Sequence, residues 1–158
     1  IYMAQENLGI KLIASNKRAH FDYFLSDFLE AGMSLTGTEV KSMRAGHCSI
    51  NGAFIDFRGG EAYVVGMNIP EYKFGNIFNH EPLRDRKLLI HKYQIDKFMR
   101  EVKQNGFTVV PTKVYFKKGR VKIEIALGKG KKNFDKRETI KERDIKRKLN
   151  DVVKSQNF

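Results

Sequence analysis

The groups in this chain that could do acid–base, nucleophilic or metal chemistry are four histidines, one cysteine and eighteen carboxylates. His20, His47, His80 and His91 show neither HExxH nor a comparable ligand spacing. There is no Gly-x-Ser-x-Gly elbow, and Gly128-Lys129-Gly130-Lys131 lacks the spacing and the following Ser or Thr of a phosphate loop. His80 and Glu81 are neighbours, so their side chains diverge, and the pair reads as a loop anchor before a catalytic dyad. Cys48 stands alone, which excludes an internal disulfide and a cysteine-based zinc cage. It reads as a buried or incidental thiol before a nucleophile. A nuclease built from scattered Asp and Glu stays open, with no spacing to support it. The expectation is a non-enzyme with no cofactor, no metal and no small-molecule substrate.

The chemistry the chain does favour is binding of polyanions. Its formal charge is +12 over 158 residues, with a pI near 9.8, which points to nucleic acid or an anionic membrane surface. Basic residues recur beside rings: Lys17 and Arg18 with Phe21 and Tyr23, Tyr72-Lys73-Phe74, and Tyr115-Phe116-Lys117-Lys118. Lys and Arg neutralise phosphates, and rings stack on unpaired bases. Most of these rings read equally as core, Phe21, Phe24 and Phe116 above all, which leaves Tyr72 and Phe74 as the exposed candidates. Arg84-Asp85-Arg86-Lys87 reads either as a clamp on a sugar–phosphate backbone or as a solvated charge cluster. Glu30 to Gly46 (EAGMSLTGTEVKSMRAG) mixes glycines, threonines and fixed charges around Leu35, Val40 and Met43. Such a mixture suits a surface that holds something, or a turn followed by a solvated basic helix.

These groups need elements to position them. Residues 9–14 alternate as a strand. Asn16 caps a predicted helix to about Leu29, whose Phe21, Phe24, Leu25, Phe28 and Leu29 form one apolar stripe, with Gly32 as the stop. A short strand at 33–36 precedes a short helix at 38–44 ended by Gly46. Residues 53–57 and 62–66 flank Arg58-Gly59-Gly60-Glu61 as a hairpin. The irregular stretch 67–83 is a candidate functional loop. A second long helix is predicted at 88–105, with Ile95, Phe98, Met99 and Val102 as its stripe and Gly106 as its end. Residues 107–116 and 120–127 form a second hairpin, in which Val121, Ile123, Ile125 and Leu127 share a face and Pro111 marks an edge or a bulge. The expected class is mainly β with helices, an OB-type six-stranded antiparallel barrel with about three helices over residues 9–128.

Residues 129–158 change character and form a basic C-terminal tail. Between 129 and 149 ten Lys or Arg stand against four Asp or Glu, so half of the net charge lies there. Too few apolar residues are present to offset the ordering entropy. Capping starts at Asp135-x-x-Glu138 and Thr139-x-x-Glu142, with i,i+4 pairs Glu142–Lys146 and Asp144–Lys148, still favour helix. The expectation is a tail disordered when free and helical when bound to an anionic surface. It has no continuous apolar face for a membrane, no run of about twenty apolar residues spans a bilayer, and no secretory signal is evident. A cytoplasmic location is expected.

The decamer GTEVKSMRAG at 37–46 closely resembles the signature of small protein B, the transfer-messenger RNA-binding family. Further matches follow in the same order: Asn16-Lys17-Arg18-Ala19, Asn79-His80-Glu81-Pro82, Arg84-Asp85-Arg86-Lys87-Leu88-Leu89, and Gly130-Lys131-Lys132 with Asp135-Lys136-Arg137. The resemblance spans Asn16 to Arg143 and implies the OB-type barrel. It also implies a bacterial function, grip on the tRNA-like domain of transfer-messenger RNA and its delivery to stalled ribosomes for rescue and peptide tagging. Elongation factor Tu is implied as an indirect partner through the charged RNA. The implied RNA-facing residues are Asn16, Lys17, Glu30, Glu39, Lys41, Arg44, Arg84, Arg86, Lys87, Leu89 and Lys122. Glu30 is then expected to contact RNA directly, Glu39 to orient Lys41 or Arg44, and Leu89 to be an apolar contact unless it is a first-turn core residue. For the tail, Lys131, Lys132, Phe134, Asp135, Lys136, Arg137, Lys141 and Arg143 are implied to meet the decoding centre and vacant message channel of the small subunit. Phe134 there stacks on a ribosomal base. The chain departs from the family pattern at His47 and at Gly52-Ala53-Phe54, and residues 67–78 carry no assignment. The alternative is a general single-stranded nucleic-acid-binding barrel.

Overall fold

A single hairpin supplies the centre of the sheet. The computed structural model describes residues 9–75 and 79–156. In chain order its elements are β1 (Ile10–Ser15), α1 (Lys17–Asp22), β2 (Tyr23–Met33), α2 (Gly37–Arg44), β3 (Phe54–Arg58), β4 (Glu61–Val65), β5 (Arg86–Leu89), α3 (Lys92–Asn105), β6 (Thr108–Lys117), β7 (Arg120–Gly130) and α4 (Asn133–Gln156). In β7 the alternating Ile123, Ile125 and Leu127 are almost wholly buried. Lys118 and Gly119 both have positive φ, 51° and 77°, so the β6–β7 turn matches the twist of its strands. Pro111 stands at a bulge in β6, where the register shifts between Pro111 and Lys113.

All pairings are antiparallel, and the order is β1-β6-β7-β2-β5-β4-β3. The sheet therefore has seven strands where six were expected. It coils until β3 lies against β6. The enclosed core includes Met43, Ile50, Val64, Met67, Ile69 and Leu88 beside the β7 residues. α3 packs on β4 and β6 with Ile95 and Phe98 buried, as its periodicity predicted, and Gly106 at φ 68° closes it.

Two predicted helices are shorter than expected. The helix that Asn16 caps ends at Asp22, and Tyr23–Met33 is a strand. A bulge around Asp27 (φ 52°) shifts the β2–β7 register, so Leu25 lies opposite Gly128 and Leu29 opposite Ile125. Those partners are three residues apart on β7, so Leu25 and Leu29 point to opposite faces. The apolar spacing that imitates one helical stripe serves both faces of a bulged strand, and Phe24 and Phe28 stay half exposed. Gly32 is inside that strand rather than a helix stop, and the strand expected at 33–36 is reduced to the end of β2. The second long helix starts at Lys92, because Arg86–Leu89 are taken by β4 and β2 on either side.

The tail also differs from expectation. It is one helix of 24 residues, and both predicted capping starts fall inside it. Its root is fixed: β7 runs to Gly130, the Lys131 amide donates to the Asp22 carbonyl at 2.8 Å, and Lys136 pairs with Asp22 at 3.3 Å. The ion pairs along it are i,i+3, Lys141–Glu138 at 3.6 Å and Arg147–Asp144 at 3.7 Å, in place of the i,i+4 pairs expected. A helix started from a fixed turn avoids part of the nucleation cost that an isolated segment carries. Ile140, Ile145 and Leu149 remain exposed on it. No helix among the described residues is long and apolar enough to cross a membrane.

Candidate nucleic-acid interface

The motif Thr36-Gly37-Thr38-Glu39 folds as a capping box. The Glu39 amide donates to Thr36 Oγ1 at 3.4 Å, and the Thr36 amide donates to Glu39 Oε1 at 2.8 Å. Glu39 Oε1 also accepts from Arg84 Nη2 at 2.6 Å, and Oε2 accepts from Arg86 Nε at 2.5 Å. Arg86 also donates to the carbonyls of Met67 (2.6 Å), Pro82 (3.0 Å) and Glu81 (3.2 Å). Glu39 and Arg86 are both 0 % exposed. Burial pushes the Glu39 carboxyl up, but hydrogen bonds from Arg84, the Thr36 amide and Arg86 outweigh it and hold the group at about 2.

Three expected RNA-facing residues are therefore interior. Arg86 is enclosed with Glu39, and Glu39 orients Arg84 and Arg86 rather than Lys41 or Arg44. Helical geometry explains the latter: positions two and five residues on from Glu39 lie on other sides of α2. Asn16 is 2 % exposed. Its Oδ1 accepts from the Ala19 amide at 3.0 Å and its Nδ2 donates to the Pro111 carbonyl at 2.8 Å, so it ties α1 to β6. The same polar interior seats the loop after Gly66 on α2. Ser42 Oγ donates to the Pro70 carbonyl at 2.7 Å. His80 Nε2 lies 2.7 Å from the Ile69 carbonyl and must donate to it, and Nδ1 shares a hydrogen bond of 2.9 Å with Thr38 Oγ1. His80 is thus the loop anchor that its sequence context suggested. Burial pushes the Cys48 thiol up to about 12, leaving it protonated and inert.

Strand alternation sorts the other residues. In β5, Arg86 and Leu88 point inward while Lys87 and the 57 %-exposed Leu89 point outward. Leu89 lies opposite Gly32, Gly32 opposite Lys122, and Glu30 opposite Glu124. Glu30, Leu89 and Lys122, from three separate stretches of sequence, thus come together on the outer face of one sheet. A Cβ at Gly32 would meet Leu89 Cβ at 3.4 Å, an ordinary packing distance, so the two strands lie side by side here without depending on glycine. A groove of about 320 Å³ lined by Leu35, Val40, Leu89, Arg120 and Lys122 joins this face to α2. Leu89 is exposed in β5 and is not a first-turn core residue.

Glu30 has company that its sequence context only half announced. The Tyr115 hydroxyl donates to Glu30 Oε2, and Lys117 Nζ lies 3.4 Å from the same oxygen. The Tyr115 hydrogen bond, with Lys117 beside it, holds the Glu30 carboxyl below the usual range against a partial burial penalty. Tyr115-Phe116-Lys117 was legible as a basic–aromatic cluster. That Tyr115 and Lys117 face Glu30 follows only from the β6–β7–β2 register.

Lys41 and Arg44 project from α2 into solvent, with Lys41 Nζ 5.7 Å from the Tyr72 ring centre. Lys17 is exposed at the start of α1. Arg84 is partly exposed, and Lys87 Nζ lies 3.6 Å from Glu61. Of the tail residues, Lys131 Nζ lies 5.0 Å from the Phe24 ring centre, and Lys136 Nζ and the Arg143 guanidinium lie 5.8 and 5.6 Å from that of Phe21. Lys132, Arg137 and Lys141 are exposed. The backbones of Phe134 and Asp135 are in α4, and their side chains lie outside the described set. Among the described residues no three His, Cys, Asp or Glu gather to hold a metal.

An antiparallel sheet with Glu30, Leu89 and Lys122 on one outer face, beside the exposed Lys41 and Arg44 of α2, suits a small nucleic-acid-binding protein. The particular family is given by comparison. The family model described as "SmpB protein" matches residues 13–155, and the chain belongs to the SmpB family. The SsrA-binding protein of Lachnoclostridium phytofermentans is 50 % identical over 156 residues, 99 % of this chain and all of that one. That of Syntrophotalea carbinolica is 51 % identical over 142 residues, 90 % of this chain and 95 % of that one. A solved structure described as "tmRNA-SmpB: a journey to the center of the bacterial ribosome" is 42 % identical with a TM-score of 0.63, covering 75 % of this chain and 84 % of that one.

Proposed function

We propose that the protein binds the tRNA-like domain of transfer-messenger RNA and brings it to stalled ribosomes for rescue and peptide tagging. The observation that carries this reading is the match to SsrA-binding relatives along nearly the whole chain, tail included. The RNA-facing set is Lys17, Glu30, Lys41, Arg44, Arg84, Lys87, Leu89 and Lys122. Asn16, Glu39 and Arg86 hold that surface from within. Lys and Arg meet phosphates, Leu89 packs on a sugar or base edge, and Glu30 accepts from a 2′-hydroxyl or a base amine. The coiled sheet is an OB-type barrel in this reading, bounded at about residue 128.

From 129 onward the tail acts separately. It enters the decoding centre and the vacant message channel as a helix, with Lys131, Lys132, Phe134, Asp135, Lys136, Arg137, Lys141 and Arg143 as its contacts. The protein works in the bacterial cytoplasm, catalyses no reaction, needs no cofactor and meets elongation factor Tu only through the charged RNA. The test is which RNA co-purifies with the protein from a bacterial lysate at moderate salt. Transfer-messenger RNA as the dominant species supports the proposal. A broad mixture of single-stranded RNA would replace it with general binding of unpaired strands.

A further inference from the structure

The loop that follows Gly66 carries an aromatic pair that the RNA-facing set does not include. Tyr72 and Phe74 meet edge to face, with ring centres 5.7 Å apart and planes at 71°. Phe74 is 78 % exposed. The backbone beneath the two rings is nevertheless fixed. Asn79 accepts from the Tyr72 amide at 3.1 Å and donates to the Tyr72 carbonyl at 2.8 Å, and the Gly75 amide reaches that carbonyl at 2.9 Å. A Cβ at Gly75 would stand 2.5 Å from Asn79 Nδ2, so a side chain there would push the Asn79 amide away from Tyr72. The Ser42 hydroxyl pins the same loop to α2 through Pro70. Two ammonium groups flank the rings: Lys41 Nζ is 5.7 Å from the centre of Tyr72, and Lys73 Nζ 5.9 Å from that of Phe74. Between them and the end of α2 is a pocket of about 320 Å³ lined by His47, Pro70, Glu71, Tyr72, Lys73 and Phe74.

We propose that this pocket takes one unpaired base of the RNA that Lys41 and Arg44 hold. The inference rests on the proposed RNA-binding function and adds a subsite to it. The base stacks on Phe74 with the Tyr72 ring as an edge wall. Lys41 and Lys73 meet the phosphates on either side, and Glu71, the only carboxylate in the lining, accepts from a base amine. An exposed ring on a pinned backbone with a cation beside it suits a nucleotide, because its face is open for stacking and the phosphates need the charge. An aromatic peptide side chain would use the ring and leave both ammonium groups without counterparts. Any base offers a face to stack, so the subsite adds affinity more than sequence choice.

The chain contains no Trp, so Phe74→Trp introduces a single indole reporter at the site. The full-length protein, Phe74→Trp and Phe74→Ala are titrated with the isolated tRNA-like domain at one moderate salt concentration and across a salt series. Expected are quenching of the indole on saturation, near wild-type affinity for Phe74→Trp, and roughly tenfold weaker binding for Phe74→Ala with an unchanged salt slope. An unquenched indole together with wild-type affinity for Phe74→Ala overturns the proposal. So does quenching by ribosomes alone, which would give the ring a different partner. Should the wild-type chain itself show no preference for the tRNA-like domain, the functional reading fails first and the subsite falls with it.

Discussion

At the scale of single residues, charge type does not decide role; burial does. Glu30 and Glu39 are both carboxylates in a basic protein, yet one is half exposed beside Tyr115 and the other is enclosed with Arg86. Removing one partner of an enclosed pair leaves the other charged and unpaired, so Glu39→Ala should cost about 3–5 kcal/mol, read from urea unfolding. Its acid sensitivity has a definite direction. The folded carboxyl titrates at about 2, below its unfolded value near 4.3. The stabilisation is thus complete above about pH 5 and is lost as pH falls toward 2, a change of about 3 kcal/mol. The fall in urea midpoint over that range should flatten in Glu39→Gln, and an unaltered pH profile would remove the carboxylate from the account. Glu30→Ala should instead change stability by under about 1 kcal/mol. It should weaken RNA binding while leaving the salt slope nearly unchanged. Sequence displayed both acids inside one motif-bearing stretch. It could not display the partners of Glu39, because Arg84 and Arg86 arrive through a ladder formed 45 and 47 positions away.

Elements with even apolar alternation were legible, and those that break it were not. β7, the β3–β4 hairpin and α3 follow single periodicities, and β6 was legible because Pro111 announced its bulge; their predicted bounds differ from the structure by a few residues. β2 carries a bulge, and its mixture of three- and four-residue steps imitates a helix. β5 is only four residues long and alternates Arg, Lys, Leu, Leu, so its two buried positions have no pattern to reveal them. That strand places Leu89 on the outer face and Arg86 inside, so the resemblance, which names both, does not separate an exposed side chain from an enclosed one. The tail was legible in composition but not in state. Its helix is fixed at the root by Lys131 and Lys136 on Asp22, and beyond the root the residues whose side chains are described are exposed. Deleting residues 131–158 should therefore leave the melting of the sheet nearly unchanged and lower affinity for the tRNA-like domain only modestly. Peptide tagging on ribosomes stalled on a message without a stop codon should be lost. Tagging at the normal rate by the truncated chain would reduce α4 to a solvated charge run.

For the whole molecule the question is whether a protein of net charge +12 reads RNA shape or only RNA charge. Counterion release lets any basic surface bind any RNA at low salt. The structure argues for more than charge. One sheet face brings Glu30, Leu89 and Lys122 together, and a buried ion pair fixes α2 beside them, so the cations stand in a set geometry rather than on loose chains. Such a surface gains from a folded partner whose phosphates match it and loses that gain with a flexible strand. The most direct measurement is a gel-shift comparison, at one moderate salt concentration, of the tRNA-like domain of transfer-messenger RNA with an unstructured RNA of equal length. The account predicts at least about tenfold tighter binding to the tRNA-like domain, with the difference persisting as salt is raised. Equal affinity for the two RNAs would contradict it.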